Sequence, residues 1–148
     1  MNKLKNFVLE LFFPARCAVC DRIGSFLCSN CAGEIIFIKK QTCPKCNRDY
    51  PTGKYCPKCR RNKSLTGILA AAYFKNENTK IITHEFKYRG YFAIAPTLAE
   101  KMVANLKGKN IDYISFVPIS KKRVRQRGYN QSEELAGAIS ELMGKPVI

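Results

Sequence analysis

Eight cysteines arranged as four Cys-x-x-Cys pairs constrain this chain more than any other feature. All eight lie within the first 59 residues of a 148-residue chain. A two-residue gap lets one tight turn present two thiolates to one metal ion, and two such turns complete a tetrahedral four-cysteine zinc site. The sequence therefore predicts two zinc sites, with these ligands: Cys17, Cys20, Cys28, Cys31, Cys43, Cys46, Cys56 and Cys59.

The order in which the pairs combine is set by their spacing. The intervals between successive pairs are 7, 11 and 9 residues. The 7- and 9-residue arms each have the size of a small hairpin, and the apolar run 35–38 separates the two halves, so sequential pairing is favoured. Spacing alone leaves an interleaved pairing open. We interpret the segment as a double zinc ribbon whose sites are structural, because protein ligands fill all four positions.

A disulfide framework is the alternative explanation of an even cysteine count in a short chain. Strict Cys-x-x-Cys pairing is typical of metal sites, and we expect no cleavable signal peptide before the cysteines and a cytoplasmic location. Zinc is therefore favoured over disulfides. The only histidine, His84, is not expected to be a ligand, because eight thiolates already fill both sites.

The formal net charge of +15 is the compositional outlier. Two zinc ions add 4 positive charges and eight thiolates add 8 negative ones, which leaves +11. Part of the basic excess between Cys17 and Ser64 would then balance the thiolate clusters. The surplus elsewhere favours a phosphate-rich partner.

Two parts of the chain are predicted, residues 1–64 with the zinc ribbons and residues 65–148 with an α/β domain. The first begins with an amphipathic stripe (Leu4, Phe7, Val8, Leu11, Phe12), interpreted as a short helix packed on the fold or as a membrane-surface anchor. No apolar stretch is long enough to span a bilayer. The predicted elements of the second part are a strand over 65–74, helices over 79–89 and 92–106, a strand over 111–119, a helix from Asn130 to Met143 and a strand beginning at 145.

A cluster of cations follows the predicted strand 111–119. A strand, a loop, a helix and a new strand form the start of a βαβ unit, which binds ligands at the carboxyl ends of its strands. The predicted loop at that end carries Lys121, Lys122, Arg123, Arg125, Arg127 and Gly128. We interpret it as an anion-binding loop beside a helix N-terminus, with a solvated charge run as the alternative.

Several motifs then resemble the ComF family of competence proteins. They are the paired cysteines, His84-Glu-Phe-Lys-Tyr-Arg-Gly90, Phe116-Val-Pro-Ile-Ser, Arg127-Gly-Tyr-Asn-Gln131 and Glu134-Leu-Ala136. The family joins a zinc ribbon to a type I phosphoribosyltransferase domain and is linked to DNA uptake in natural transformation. The resemblance implies a parallel sheet with flanking helices, a pyrophosphate-side loop at 117–128 and a second basic motif that contributes Lys87 and Arg89.

One part of the family pattern is missing from this chain. Type I phosphoribosyltransferases hold the ribose-phosphate of phosphoribosyl pyrophosphate (PRPP) with two adjacent acids after an apolar strand, then a Thr/Ser-Gly-x-Thr loop. The only adjacent acids here, Glu133 and Glu134, lie on a predicted helix. We therefore expect an incomplete transferase domain without catalytic residues, and magnesium and PRPP only in a complete protein.

Three functions compete at this point. The complete protein is a phosphoribosyltransferase, a glycosyltransferase-type enzyme; or the basic surface binds single-stranded DNA; or the ribbons dock another competence protein.

Overall fold

The computed structural model describes residues 14–106 and 108–148, so the predicted amphipathic stripe before Pro14 lies outside the described residues. The zinc-ribbon cysteines lie in long irregular segments that contain one short helix, and the other helices follow them in the chain. No helix in the described ranges is long and apolar enough to cross a membrane. The helices are α1 (Ser29–Gly33), α2 (Glu77–Tyr88), a 3₁₀ turn (Phe92–Ile94), α3 (Ala95–Ala104), α4 (Lys121–Arg127) and α5 (Gln131–Met143).

Helices α2 and α5 form where the sequence predicts them, because their ends are capped locally. The Asn76 side chain accepts a hydrogen bond from Thr79 N, so α2 begins slightly earlier than predicted, at Glu77. Asn130 likewise accepts from Ser132 N at the start of α5. Gly144, with φ of 63°, ends α5 in the left-handed conformation that glycine adopts without strain.

The basic segment after residue 119 is a helix, so the prediction of a loop there is wrong. Ser120 accepts a hydrogen bond from Arg123 N at the beginning of α4, and Gly128, with φ of 83°, ends it. Lysine, arginine and glutamine are good helix formers, and the segment between these two caps contains no glycine or proline. Helical propensity and capping therefore outweigh the repulsion among its cations.

The three predicted strands are wrong as continuous strands, because the described residues contain isolated bridges only. Segment 65–74 pairs singly with the ribbons, at Phe37 with Ala72 and at Lys54 with Gly67. At Ala70 the partner is a side chain: Gln41 donates to Ala70 O at 2.9 Å and accepts from Ala70 N at 3.1 Å. The segment therefore changes partner along its length, which prevents a regular ladder.

One bridge keeps the predicted parallel arrangement. Ile114 forms a parallel bridge with Val147, which follows α5 in the chain, and Ile148 N donates to Ile114 O at 2.9 Å. Segments 111–119 and 145–148 thus run side by side in the sense expected of a βαβ unit. A parallel sheet of the phosphoribosyltransferase type is not formed within the described ranges, so that part of the predicted fold class remains a proposal.

The main core joins the first ribbon to the helices. Cys17, Leu27, Cys31 and Ile35 are buried against Ile82 of α2 and Ile94 of the 3₁₀ turn. Separately, α3 packs on α5 through small buried residues, including Ala95, Ala99 and Ala136. Contacts therefore cross the predicted boundary at residue 64, and the division into two domains stays a prediction.

Candidate metal centres and basic interface

The eight cysteine thiols form two separate clusters in the order of the sequence. The sulfur atoms of Cys17, Cys20, Cys28 and Cys31 all lie within 4.8 Å of one another, and so do those of Cys43, Cys46, Cys56 and Cys59. Neither cluster contains a disulfide, since all eight cysteines are free. The pairing that spacing left open is therefore sequential.

The distances between sulfur atoms fit a tetrahedral zinc ion. A Zn–S bond of about 2.3 Å places two sulfurs of a regular tetrahedron about 3.8 Å apart. The Sγ atoms of Cys20 and Cys28 are 3.7 Å apart, and those of Cys46 and Cys56 are 3.8 Å apart. Four thiolates at this spacing supply the whole coordination shell, so the bound zinc holds the loops together and leaves no position for a substrate.

The two sites repeat the same backbone turn. Cys17 N donates to Arg22 O at 2.9 Å, and Cys43 N donates to Arg48 O at 2.9 Å. The residue after each second cysteine, Asp21 or Asn47, has φ near 57° (58° and 56°), a conformation that Asp and Asn tolerate better than most residues. This internal repeat of Cys-x-x-Cys-Asx-Arg was readable in the sequence but was missed.

Burial and hydrogen bonds together shift the pKa values of two thiols in each cluster in the absence of metal. Burial raises the pKa of Cys17 and Cys43, but backbone N–H groups, foremost those of Cys28 and Cys56, outweigh it and lower the pKa of both to about 6. Burial and the neighbouring thiols raise the pKa of Cys31, and the Cys56 thiol with burial raises that of Cys59 to about 12. Four adjacent thiolates therefore require a cation to coexist, which is the role of zinc here.

His84 lies outside both thiol clusters, as predicted. Its Nδ1 atom is 3.2 Å from Glu85 Oε1, and its ring contacts that of Tyr88 with centroids 5.0 Å apart. Its environment is thus a helix surface rather than a metal site.

The Arg-Gly-Tyr-Asn-Gln motif covers the C-terminal end of α2. The last carbonyls of a helix have no partner within the helix. Here the Tyr129 hydroxyl donates to Phe86 O, and Gln131 Nε2 donates to Lys87 O at 3.1 Å. Burial raises the pKa of Tyr129, which keeps its hydroxyl protonated as a donor. The motifs His84–Gly90 and Arg127–Gln131, which are distant in sequence, thus meet at one junction. The sequence did not reveal that Tyr129 and Gln131 form it.

Arg127 connects the same motif to the side chain of Tyr88. Its guanidinium carbon lies 4.7 Å from the centre of the Tyr88 ring, and its Nη2 donates to the Tyr88 hydroxyl at 3.3 Å. Its Nη1 donates to Gln131 Oε1 at 3.0 Å. The Arg127 side chain is therefore committed to the junction, and Gly128 serves as the C-cap of α4.

The other predicted basic residues lie on the two helices that the junction connects, and their side chains are exposed. Lys87 and Arg89 lie at the end of α2, and α4 carries the rest. Arg89 Nε lies 4.0 Å from a carboxylate oxygen of Glu85, too far for a strong ion pair. We call the following set the basic face: Lys87, Arg89, Lys121, Lys122, Arg123 and Arg125.

Comparisons with known proteins agree with these features. A family model of the double zinc ribbon domain matches residues 8–60. A curated relative, competence protein ComFC of Streptococcus pneumoniae, is 29% identical over 116 residues, which are 77% of this chain and 52% of the relative. Together these matches support a ComF family protein. No solved structure gives a significant match.

These matches support the resemblance to the ComF family read from the motifs, and the two structural zinc ions are confirmed by the domain match and the thiol clusters. The chain spans about half the length of the ComFC relative.

Proposed function

We propose that this protein acts in the DNA-uptake machinery of natural transformation, where it binds single-stranded DNA through the basic face. The observation that carries the proposal is the junction between α2 and the Arg127–Gln131 motif. It joins the end of α2, which carries Lys87 and Arg89, to the end of the basic helix α4 beside an exposed tyrosine, Tyr88, which is 57% accessible. Cations contact phosphates without regard to sequence, and aromatic rings stack on unpaired bases.

Because α4 is a helix and not the predicted loop, different groups of the basic face are available to contact an anion. In a helix the backbone N–H groups are largely used internally, so the anion contacts come from side chains rather than from a backbone cradle. Lys121 and Arg125 lie four residues apart on one side of α4, and Arg123 lies on another. Such a distribution suits a flexible polyanion that wraps a surface better than one small phosphate.

We expect binding to labelled oligo-dT, measured by fluorescence anisotropy, to weaken steeply with salt. The salt slope is the slope of the logarithm of the binding constant against the logarithm of the salt concentration. The double variant Lys121→Gln/Lys122→Gln should lower its magnitude by up to about 1.4, which corresponds to two phosphate contacts on a single strand. Glutamine maintains helix propensity, so α4 is preserved. The matched control, Lys75→Gln/Lys80→Gln near the opposite end of α2, should leave the slope unchanged. Equal slopes for both variants would refute binding at the basic face.

A phosphoribosyltransferase role of a ComFC-length protein is the second candidate. The parallel bridge between Ile114 and Val147 favours it, because α4 then follows the carboxyl end of an extended segment, where such folds bind ligands. The 148-residue chain supplies cations for a pyrophosphate but no acidic pair for the ribose-phosphate, so transition-state groups are fixed on one side only.

This second candidate predicts no PRPP turnover by the 148-residue chain. Pyrophosphate release should stay at background with each nucleobase and magnesium, while a ComFC-length homologue serves as the comparison. Turnover by the shorter chain at the rate of the longer protein would show that its active site lies elsewhere.

A further inference from the structure

The second zinc ribbon has an open cleft lined by cations and tyrosines. Its volume is about 470 Å³, within the range of about 300–1,000 Å³ of pockets that take small ligands. Lys54, Arg60, Arg61 and Lys63 line it together with Tyr50 and Tyr55. None of these four cations forms an ion pair with a carboxylate among the described residues. The cleft is separate from the basic face on α2 and α4.

The first ribbon provides an internal comparison for the charge of the second. Residues 14–38 carry two cations and two acids, so a zinc ion with four thiolates brings this ribbon to a net charge of −2. Residues 39–66 carry nine cations and one acid, and the same correction takes the second ribbon from +8 to +6. The first ribbon therefore forms a four-cysteine site without an excess of cations over acids. The cations of the second ribbon therefore exceed what its thiolates require, and an external polyanion accounts for them.

The aromatic side chains in the cleft add a second type of contact. Tyr50 and Tyr55 are half-buried and both line the cleft. The backbone around them is tied down: Tyr50 N donates to Gln41 O at 3.2 Å, and Gly53 N donates to Tyr50 O at 3.0 Å. The Lys63 ammonium lies 5.9 Å from the centre of the Tyr55 ring. Aromatic rings beside cations suit a ligand that alternates flat bases with phosphates.

From these observations we infer that the cleft of the second zinc ribbon is a separate binding site for single-stranded nucleic acid. Lys54, Arg60, Arg61 and Lys63 contact phosphates, and an unpaired base packs against Tyr55. A duplex hides the faces of its bases, so it would use the cations alone. The ligand class rests on the proposed function, whereas the site and its residues are independent of the basic face.

A matched pair of variants tests the phosphate contacts in the full-length, zinc-loaded chain. Lys54→Gln/Lys63→Gln removes two lysines of the cleft, and Lys39→Gln/Lys40→Gln removes two exposed lysines of the same ribbon that do not line it. With labelled oligo-dT, the cleft variant should lower the salt slope by up to about 1.4, and the control should not. Equal slopes for the two variants would overturn the cleft site. If Lys121→Gln/Lys122→Gln still lowers the slope, the basic-face proposal survives that result.

A second variant separates base stacking from charge. Tyr55→Leu keeps an apolar side chain but removes the ring, so the affinity for oligo-dT should fall by about 5- to 150-fold. Its affinity for inorganic polyphosphate, which has no bases, should remain that of the wild type. Equal losses for both ligands, or none for oligo-dT, would overturn stacking in the cleft. Unchanged zinc content and circular dichroism establish that each variant is folded.

Discussion

Removal of zinc with a chelator under reducing conditions should unfold the first ribbon and also disrupt α2. The reason is that Cys17 and Cys31 are both zinc ligands and members of the core that contains Ile82 and Ile94. Structural zinc contributes about 10–16 kcal/mol in small zinc-dependent modules, as much as the roughly 5–15 kcal/mol total stability of a typical domain. Loss of the metal therefore removes more free energy than this core can replace.

Loss of the first zinc site should destabilise α2, whereas loss of the second should not. The core that includes Ile82 contains cysteines of the first site and none of the second. Cys31→Ser should accordingly abolish hydrogen-exchange protection in peptides of α2, while Cys59→Ser should leave that protection near the wild-type level. Equal protection of α2 in the two variants would contradict the proposed sharing of the core with the first site.

A substitution at Gly67 should destabilise the second ribbon, whereas the same substitution at Gly137 should not. A Cβ atom on Gly67 would lie 2.5 Å from Gly53 O and 2.8 Å from Lys54 Cα, and both are backbone atoms that cannot rotate away. The chain next to Gly67 is hydrogen-bonded to the same turn, because Ile68 N donates to Gly53 O at 2.9 Å. Overpacking of this kind costs about 1–3 kcal/mol, and Gly67→Ala should lower the stability of the ribbon accordingly.

Gly137→Ala is the matched control because it adds the same atom in open space. Apart from its neighbours and the backbone of its own helix, no atom of the described residues lies within 4 Å of its Cβ position, and Gly137 is in the middle of α5. Alanine in a helix interior is favoured over glycine by about 0.5–1 kcal/mol, so this variant should be more stable than the wild type. Chemical denaturation of the zinc-loaded proteins measures both changes. A stable Gly67→Ala variant would show that segment 65–74 does not approach the ribbon turn this closely.

Features set by local chemistry were predictable from the sequence. The four Cys-x-x-Cys turns identify both zinc sites because each turn positions two ligands without help from distant residues. The caps at Asn130 and Gly144 are local in the same sense, and they place α5 correctly. For α4 the local signals were also present, in the N-cap Ser120 and the C-cap Gly128.

Features that depend on distant partners could not be predicted. Segment 65–74 has the composition of a strand. Its neighbours are the irregular loops of the ribbons, so it pairs through a glutamine side chain and two isolated bridges and not through a continuous ladder. The sequence indicated a family motif at Arg127–Gln131 and an anion-binding role for Arg127, whereas Tyr129 and Gln131 donate to carbonyls more than 40 residues earlier in the chain. Only the three-dimensional structure places these partners together.

The measurement that tests the central claim most directly is the number of zinc ions retained when whole cysteine pairs are replaced by serine, counted by native mass spectrometry. One variant replaces the second cluster, Cys43, Cys46, Cys56 and Cys59, and leaves the first cluster intact. The other replaces the first pair of each cluster, Cys17, Cys20, Cys43 and Cys46. Sequential sites predict one zinc ion in the first variant and none in the second, because the second retains only half of each site. One zinc ion in the second variant and none in the first would contradict the two-ribbon structure.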